Sequence, residues 1–190
     1  MDSMKSKIKL GLNVEYSLRD KDGKFKPLFQ ENRLFKWLLK KGLLSPKFPK
    51  IPYLLGNWQS NKVIANLVTS AGAAGVASRI NGSGSEAAFT YIAVGTGTGA
   101  AAAGDTTLGT ETAASGLSRV AATASRVTTD VTNDTAQLTT TFTVSGTVAV
   151  TESGVLNASS NGVLLARQVF SAINVVSGDS LTITWKFDVD

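Results

Sequence analysis

All four prolines of this 190-residue chain lie within its first 52 residues, at positions 27, 46, 49 and 52. Proline fixes φ and lacks an amide hydrogen, so it interrupts both helices and the interior of sheets. Residues 43–58, which hold three of the four, are therefore predicted to be extended. The region after them can form uninterrupted regular structure.

Charge and composition change at the same place. Residues 1–62 carry 14 Lys and Arg against 5 Asp and Glu, a net charge of +9, whereas residues 63–190 carry 5 against 9, a net charge of −4. From residue 63 onward, 35 of 128 residues are Ser or Thr and 22 are Ala. This change predicts two modules, a basic N-terminal anchor over residues 1–60 and a second domain over residues 61–190.

The chain contains neither Cys nor His. Disulfides, Cys/His zinc sites, Cys nucleophiles and His bases are therefore excluded. We predict no cofactor, no metal and no enzymatic activity. Since no stretch approaches about 20 apolar residues, we expect no membrane partner.

The N-terminal module is predicted to contain a hairpin, a helix and an arm. Apolar and polar residues alternate over residues 8–18, which is typical of a half-buried strand. Residues 20–23 are a turn signal, followed by a short return strand over residues 24–29. Apolar spacing predicts an amphipathic helix over residues 31–41 that ends at Gly42.

The second module is predicted to begin with a helix over residues 61–80 that ends at Asn81-Gly82 and packs closely through its small residues. Short strands rich in Thr and Val follow. The fold class is therefore predicted as mainly β, a β-sandwich or jelly-roll-like domain preceded by the hairpin, helix and arm. The six strands are Phe89–Val94, Ser118–Thr128, Ala136–Val144, Thr147–Thr151, Val163–Ala172 and Ser180–Val189.

Residues 95–100 fit the G-x-G-x-x-A pattern directly after an apolar strand. In dinucleotide-binding folds, such glycines let the backbone approach a pyrophosphate at a helix N-terminus. Residues 100–116 lack the apolar stripe of a helix, and the later strands follow one another without helices between them. The context favours a flexible loop between strands over a nucleotide site.

Four acids could supply the carboxylate pair of a glycosidase, namely Asp105, Glu111, Glu152 and Asp179. Aromatic residues make up only 7% of the chain, so no sugar cleft is indicated. We therefore interpret the four as solvated loop acids.

Asp20, Asp22 and Glu31 loosely follow the spacing of a calcium loop. The sixth loop position, which requires Gly, is Phe25. A hairpin turn is the favoured interpretation.

The basic segment could bind nucleic acid through its charge. Its charges alternate with apolar residues on a strand, and no nucleic-acid motif accompanies them. We therefore favour an acidic protein surface, or plain solvation, over nucleic acid.

Three stretches carry a resemblance to a known family: FTYIAVGTGTGAAAAGDTTLGTE (89–111), SRVTTDVTNDTAQLTTTFTVSG (125–146) and TESGVLNASSNGVLLARQVFSAINVVSGDSLTITW (151–185). Their order resembles that of a widespread group of structural proteins of tailed-bacteriophage virions. The resemblance spans residues 61–188, and the third stretch is the most specific. It implies a non-enzymatic role in the particle and a location in the virion.

The resulting hypothesis is a capsid decoration or cement protein that docks on other virion proteins through its basic N-terminal module and forms oligomers in the particle. A neck or tail-fibre component is the first alternative, with attachment to neck or tail proteins. A host-glycan-binding or hydrolytic module is the second. The predicted anchor and interface residues are Ile8, Leu10, Leu12, Tyr16, Phe35, Trp37, Leu38, Pro49, Pro52, Tyr53 and Trp58.

Overall fold

The computed structural model describes residues 13–45, 50 and 56–189. These residues form mainly strands, with one short helix near the N-terminus and a longer one before the main run of strands. In chain order the elements are β1 Asn13–Arg19, β2 Phe25–Lys26, β3 Leu28–Glu31, α1 Arg33–Lys40, β4 Gly56–Gln59, β5 Asn61–Ile64, β6 Leu67–Val68, α2 Ser70–Asn81, β7 Tyr91–Gly95, β8 Val120–Ala121, β9 Thr123–Val127, β10 Thr135–Thr143, β11 Val148–Leu156, β12 Leu164–Val175 and β13 Ser180–Asp188.

Two antiparallel sheets form the body of the molecule. The first follows the order β2-β1-β13-β10-β9, and β5 also pairs with β1. β2 pairs with residues 18 and 19 and β5 with residues 14–17, so these two short strands share one edge of β1. The second sheet follows the order β6-β12-β11-β7-β8.

The core lies between these sheets, because the inward residues of both belong to one apolar cluster. The ring of Tyr16 on β1 lies 4.4 Å from the ring of Phe170 on β12. Trp185 Nε1 on β13 donates to Ser153 Oγ on β11 at 3.2 Å. The predicted mainly-β, sandwich-like fold is confirmed.

Threonine hydroxyls pair with one another on the outer face of the first sheet. Thr139 lies 3.0 Å from Thr184, and Thr141 lies 2.8 Å from Thr182, between β10 and β13. Such cross-strand pairs suit a pleated, half-exposed face. They let this face stay polar with few charges.

The predicted N-terminal hairpin is confirmed where the structure describes it. Asp20 Oδ1 accepts hydrogen bonds from the amides of Asp22 and Lys24, both at 2.9 Å, so this carboxylate builds a turn. Gly23 adopts a φ of 77°. Pro27 divides the predicted return strand into β2 and β3, since proline cannot donate to the ladder.

A small satellite core joins α1 to the two-stranded sheet of β3 and β4. Phe29 on β3 packs edge-on against Phe35 on α1 and against Trp58 on β4, with ring centroids 6.2 and 5.5 Å apart. Asn32 Oδ1 accepts from Phe35 N and caps the helix start. The helix ends as predicted, with Gly42 at a φ of 68°.

The helix predicted over residues 61–80 is wrong in its first half. Residues 61–64 and 67–68 are strands, and α2 begins at Ser70. β5 alternates inward Lys62 and Ile64 with outward Val63, and it pairs with β1, so a long-range ladder prevails over local spacing. Thr69 caps α2 by accepting from Gly72 N at 2.9 Å.

The close packing predicted for α2 comes from its glycines. A Cβ at Gly72 would lie 2.3 Å from the carbonyl oxygen of Leu165 on β12. α2 ends as predicted at Asn81-Gly82, with Gly82 in the left-handed region at a φ of 67°.

The predicted boundary at residues 60 and 61 does not separate two cores. β1 pairs along its whole length with β13, from Asn13 opposite Lys186 to Arg19 opposite Ser180. Val14, Tyr16 and Leu18 also belong to the central cluster. A two-stranded hairpin alone buries too little apolar surface to be stable, so the N-terminal strand completes the large sheet instead.

Candidate functional site

A buried ion pair joins the N-terminal segment to the second sheet. Lys62 Nζ lies 2.5 Å from Glu31 Oε1 and 2.6 Å from Ser171 Oγ, and Ser171 N donates to Glu31 Oε1 at 2.8 Å. Lys62 is fully buried, and Glu31 and Ser171 are 5% and 1% exposed. The three residues come from β5, β3 and β12, so the cluster fastens three elements together.

Alternation along β5 places Lys62 in this interior. Lys62 lies opposite Tyr16 in the ladder with β1, and both side chains face the core. The ammonium lies 5.4 Å from the centroid of the Phe170 ring, a cation–π distance. Lys62 could not be identified from the sequence, because the apolar spacing of residues 61–64 predicts a helix.

The environment shifts the pKa values of both partners. Burial lowers the pKa of Lys62 to about 8, and the Glu31 carboxylate opposes that shift. Burial acts to raise the pKa of Glu31, but the ammonium of Lys62 and the hydrogen bonds from Lys62 and Ser171 outweigh it and lower this pKa. The pair is therefore ionised at neutral pH.

A serine hydroxyl beside a lysine amine is the arrangement of a Ser nucleophile with a Lys base. Here Glu31 lies closer to the ammonium than Ser171 does, and it keeps the proton on Lys62. Ser171 is also 1% exposed, so a substrate has no access to its hydroxyl. The geometry favours a structural cluster over a catalytic one.

A second buried pair lies on the other face of the second sheet. Glu152 is fully buried on β11, and Arg167 on β12 is 4% exposed. The Arg167 guanidinium contacts Glu152 Oε2 through Nε at 2.8 Å and through Nη2 at 2.7 Å. It also donates to Asp105 Oδ2 at 2.8 Å and to the Gly99 carbonyl at 3.1 Å.

The glycine motif at residues 95–100 binds this internal carboxylate. Gly97 N and Thr110 N donate to Glu152 Oε1 at 2.9 and 2.6 Å, and Gly109 N donates to Oε2 at 2.9 Å. A Cβ at Gly97 would lie 2.4 Å from Glu152 Oε1. Backbone amides do surround an anion here, as in a phosphate loop, but Glu152 of the same chain occupies the position.

The interpretation of residues 95–116 as a flexible loop is therefore corrected. Besides the bonds to Glu152, Thr96 N donates to the Thr110 carbonyl at 2.9 Å. Leu108 packs with Ala93, Leu156 and Leu164 on the outer face of the second sheet. The loop covers that face and is held by the buried carboxylate.

Each of the four acids considered as a glycosidase pair forms an ion pair with a Lys or Arg side chain. The interpretation as solvated loop acids is therefore wrong for most of them. Glu152 and Asp105 contact Arg167, and Asp179, 2% exposed, lies 2.7 Å from Lys26. Glu111 lies on the surface and forms a bidentate ion pair with Arg119, with hydrogen bonds of 2.7 and 2.9 Å. Each carboxylate has a structural role.

Among residues 13–45, 50 and 56–189, no group of Cys, His, Asp or Glu could hold a metal ion. Within the same residues, neither helix is long and apolar enough to cross a bilayer.

The predicted interface residues divide by burial. Tyr16 and Phe35 are fully buried inside the chain, so they support its core and cannot contact a partner. Leu38 is half-buried, whereas Trp37 and Trp58 are 52% and 49% exposed. Six of the predicted residues lie outside the described residues: Ile8, Leu10, Leu12, Pro49, Pro52 and Tyr53.

Comparisons of the chain with protein-family models, with curated proteins and with solved structures found no match. A functional assignment therefore depends on the residues and geometry of the chain itself.

Proposed function

We propose that this chain is a non-enzymatic structural protein of a tailed-bacteriophage virion. In this proposal it is a capsid decoration or cement protein, docked through its N-terminal residues on an acidic surface of another virion protein. The resemblance of residues 61–188 to virion proteins and the surface of the N-terminal segment support the proposal.

The observation that carries it is the exposure of two tryptophans in the N-terminal segment. Trp37 and Trp58 are about half exposed, and Trp58 packs on Phe29, which in turn contacts Phe35. Tryptophan is enriched among the residues that contribute most to protein interfaces. Because Trp58 is already packed on Phe29, its ring would lose less side-chain freedom on binding a partner.

The charge of the N-terminal segment supports an acidic partner surface. Arg33, Lys36 and Lys40 are exposed on α1, whose first turn contains no acid. Residues 1–62 have a net charge of +9. A complementary surface is therefore acidic, and opposite charge would accelerate the encounter.

The rest of the molecule differs from this segment. Arg119 and Arg167 are bound to carboxylates of the same chain. The outer Thr pairs of β10 and β13 present a flat polar face with few charges. Such a domain suits lateral packing in a particle, with copies of itself or with capsid subunits.

The decisive experiment is quantitative mass spectrometry of purified particles, before and after heads are separated from tails. Many copies that remain with heads are expected for a decoration protein. If only a few copies are found and they leave with the tails, the neck or tail-fibre alternative would replace the decoration proposal. Absence from particles would overturn the virion assignment.

A variant pair tests the docking residues. Trp37→Ser combined with Trp58→Ser should abolish incorporation into particles while the isolated chain remains folded by circular dichroism. Ile80→Ser combined with Val131→Ser is the matched control, because those side chains are 74% and 69% exposed and lie outside the N-terminal segment. Equal incorporation of the two double variants would exclude the tryptophans as the docking site.

A further inference from the structure

A cavity of about 350 Å³ lies between α1, the connection from β5 to β6, β12 and the glycine loop. Its polar lining includes Glu31, Lys36, Lys40 and Asn66, and the half-buried Leu67 and Val169 contribute an apolar wall. This volume falls within the range of small-molecule sites. Neither the docking proposal nor the buried ion pair explains the cavity.

Two residues of this lining each carry a buried oxygen with no hydrogen-bond partner among the described residues, Glu31 Oε2 and Asn66 Oδ1. Both side chains are held in place by their other atoms. Glu31 Oε1 accepts from Lys62 and Ser171, and Asn66 Nδ2 donates to the Lys186 carbonyl at 3.0 Å. Buried acceptors are normally paired, so two fixed unpaired acceptors in one cavity indicate a ligand that donates hydrogen bonds.

The charges around the cavity determine what kind of donor fits. Glu31 is already neutralised by Lys62 at 2.5 Å, so a cationic donor would meet the Lys62 ammonium. A neutral donor such as a hydroxyl meets no such repulsion. Lys36 and Lys40, one helical turn apart and both exposed, place two further positive charges on the α1 side.

We propose that this cavity binds a small polyhydroxylated carboxylic acid of the hexuronic acid class. Its hydroxyls donate to Glu31 Oε2 and Asn66 Oδ1, and its carboxylate lies against Lys36 and Lys40. The C–H face of the sugar ring packs on the apolar wall at Leu67 and Val169. Lys36 and Lys40 belong to both proposals, but this binding is tested on the isolated chain and the docking tryptophans do not line the cavity, so it does not depend on the virion role.

Ligand chemistry is tested by NMR titration of the full ¹⁵N-labelled chain. Sodium glucuronate is the probe, with glucose, which lacks the carboxylate, and cyclohexanecarboxylate, which lacks the hydroxyls, as matched comparisons. We expect glucuronate at about 10 mM to shift the amides of residues 36–40, 66 and 168–170, with the two comparison compounds at least about tenfold weaker. Equal binding of all three compounds, or no glucuronate shift, would overturn the proposal.

Variants locate the site. Lys36→Ala combined with Lys40→Ala should weaken glucuronate binding at least about tenfold, since it removes both charge-assisted contacts to the carboxylate. Arg33→Ala combined with Lys41→Ala removes the same charge from the same region, outside the cavity lining, and should leave affinity within about twofold. Equal loss in both double variants would mean non-specific attraction and would overturn the site.

A second titration distinguishes a free acidic sugar from the end of a glycan chain as the ligand. A glucuronate-terminated tetrasaccharide should bind as well as the free acid or better if the natural ligand is a chain end. Weaker binding of the tetrasaccharide than of glucuronate would assign the cavity to free acids. Binding of the tetrasaccharide without any binding of glucuronate would overturn a cavity that holds one acidic sugar.

Discussion

Among the described residues, the buried ion pairs Glu152–Arg167 and Glu31–Lys62 each join a glutamate to a basic side chain, but their surroundings differ. Glu152 receives three backbone amides and two nitrogens of Arg167, so both its oxygens are paired. Glu31 Oε1 accepts hydrogen bonds from Lys62 Nζ and Ser171 N. Glu31 Oε2 has no protein partner and lies beside the cavity.

This difference in hydrogen bonding distinguishes a cluster that only holds the fold together from one that could also bind a ligand. A planar guanidinium and a ring of amides complete the Glu152 cluster, which leaves no polar atom for a ligand. The compact ammonium of Lys62 satisfies one side of Glu31 only. We therefore assign the first pair to holding a loop and treat the second as both a structural link and part of a binding cavity.

The largest effect is expected from Glu152→Ala. It leaves Arg167 buried without its main partner and frees three amides, so the free energy of unfolding should fall by at least about 3–5 kcal/mol. Urea unfolding followed by circular dichroism measures the loss. Glu111→Ala is the control, since its pair with Arg119 is on the surface and contributes up to about 1 kcal/mol. Similar losses in both variants would contradict the distinction.

Paired replacement should separate the clusters further. Lys62→Met alone should cost about 3–5 kcal/mol, whereas Glu31→Leu with Lys62→Met should cost clearly less, because the uncompensated charge is gone. Glu152→Leu with Arg167→Met should recover only the part of the loss that comes from the unpaired guanidinium, since the three amides stay buried and unpaired in both variants. An equally complete recovery at both sites, measured by the same unfolding assay, would show that the amides contribute little.

Gly97→Ala tests how closely the loop surrounds its carboxylate. A Cβ there would lie 2.4 Å from Glu152 Oε1, so we expect a loss of about 1–3 kcal/mol from overpacking. Gly99→Ala is matched in sequence but has no atom within 4 Å of the new Cβ, and it should be nearly neutral. Thermal unfolding of both variants distinguishes them, and equal melting temperatures would refute the close approach.

Per pH unit, the smallest effect is a pH dependence confined to the lysine cluster. The pKa of Lys62 is about 8 in the folded chain and about 10.5 when unfolded, so the unfolded chain binds more protons between these values. Stability should therefore rise with pH from about 8 to 10.5, by at most about 1.4 kcal/mol per pH unit, relative to the Glu31→Leu, Lys62→Met variant. A flat difference over that window would contradict the lowered pKa.

Elements governed by local rules could be predicted from the sequence. The alternation of β1 and β13, the turn at residues 20–23 and the helix ends at Gly42 and Gly82 depend on side-chain period and on φ, which neighbouring residues determine. The sandwich-like class follows from the spacing of the later strands.

The site could not be predicted in the same way. Lys62 lies in a stretch whose apolar spacing is typical of a helix, and only its ladder with β1 makes the stretch a strand. Arg167 gave a signal, as a charged residue within an apolar strand, but its partners Glu152 and Asp105 come from β11 and a loop. The glycine motif supplies one of the three amides around this anion, Gly97 N, but its context in the sequence favoured a flexible loop, and only the tertiary fold identifies the anion as Glu152.

The pairing of β1 with β13 also constrains how the chain acquires its fold. β1 lies inside the first sheet, yet its neighbour β13 is made only after almost all the other described residues have left the ribosome. Sheets closed by contacts this distant in sequence fold slowly, because the chain must lose loop entropy before the ladder forms. During synthesis β1 can pair with β2 and β5 but not with β13, and the central core can form only after translation has passed residue 188.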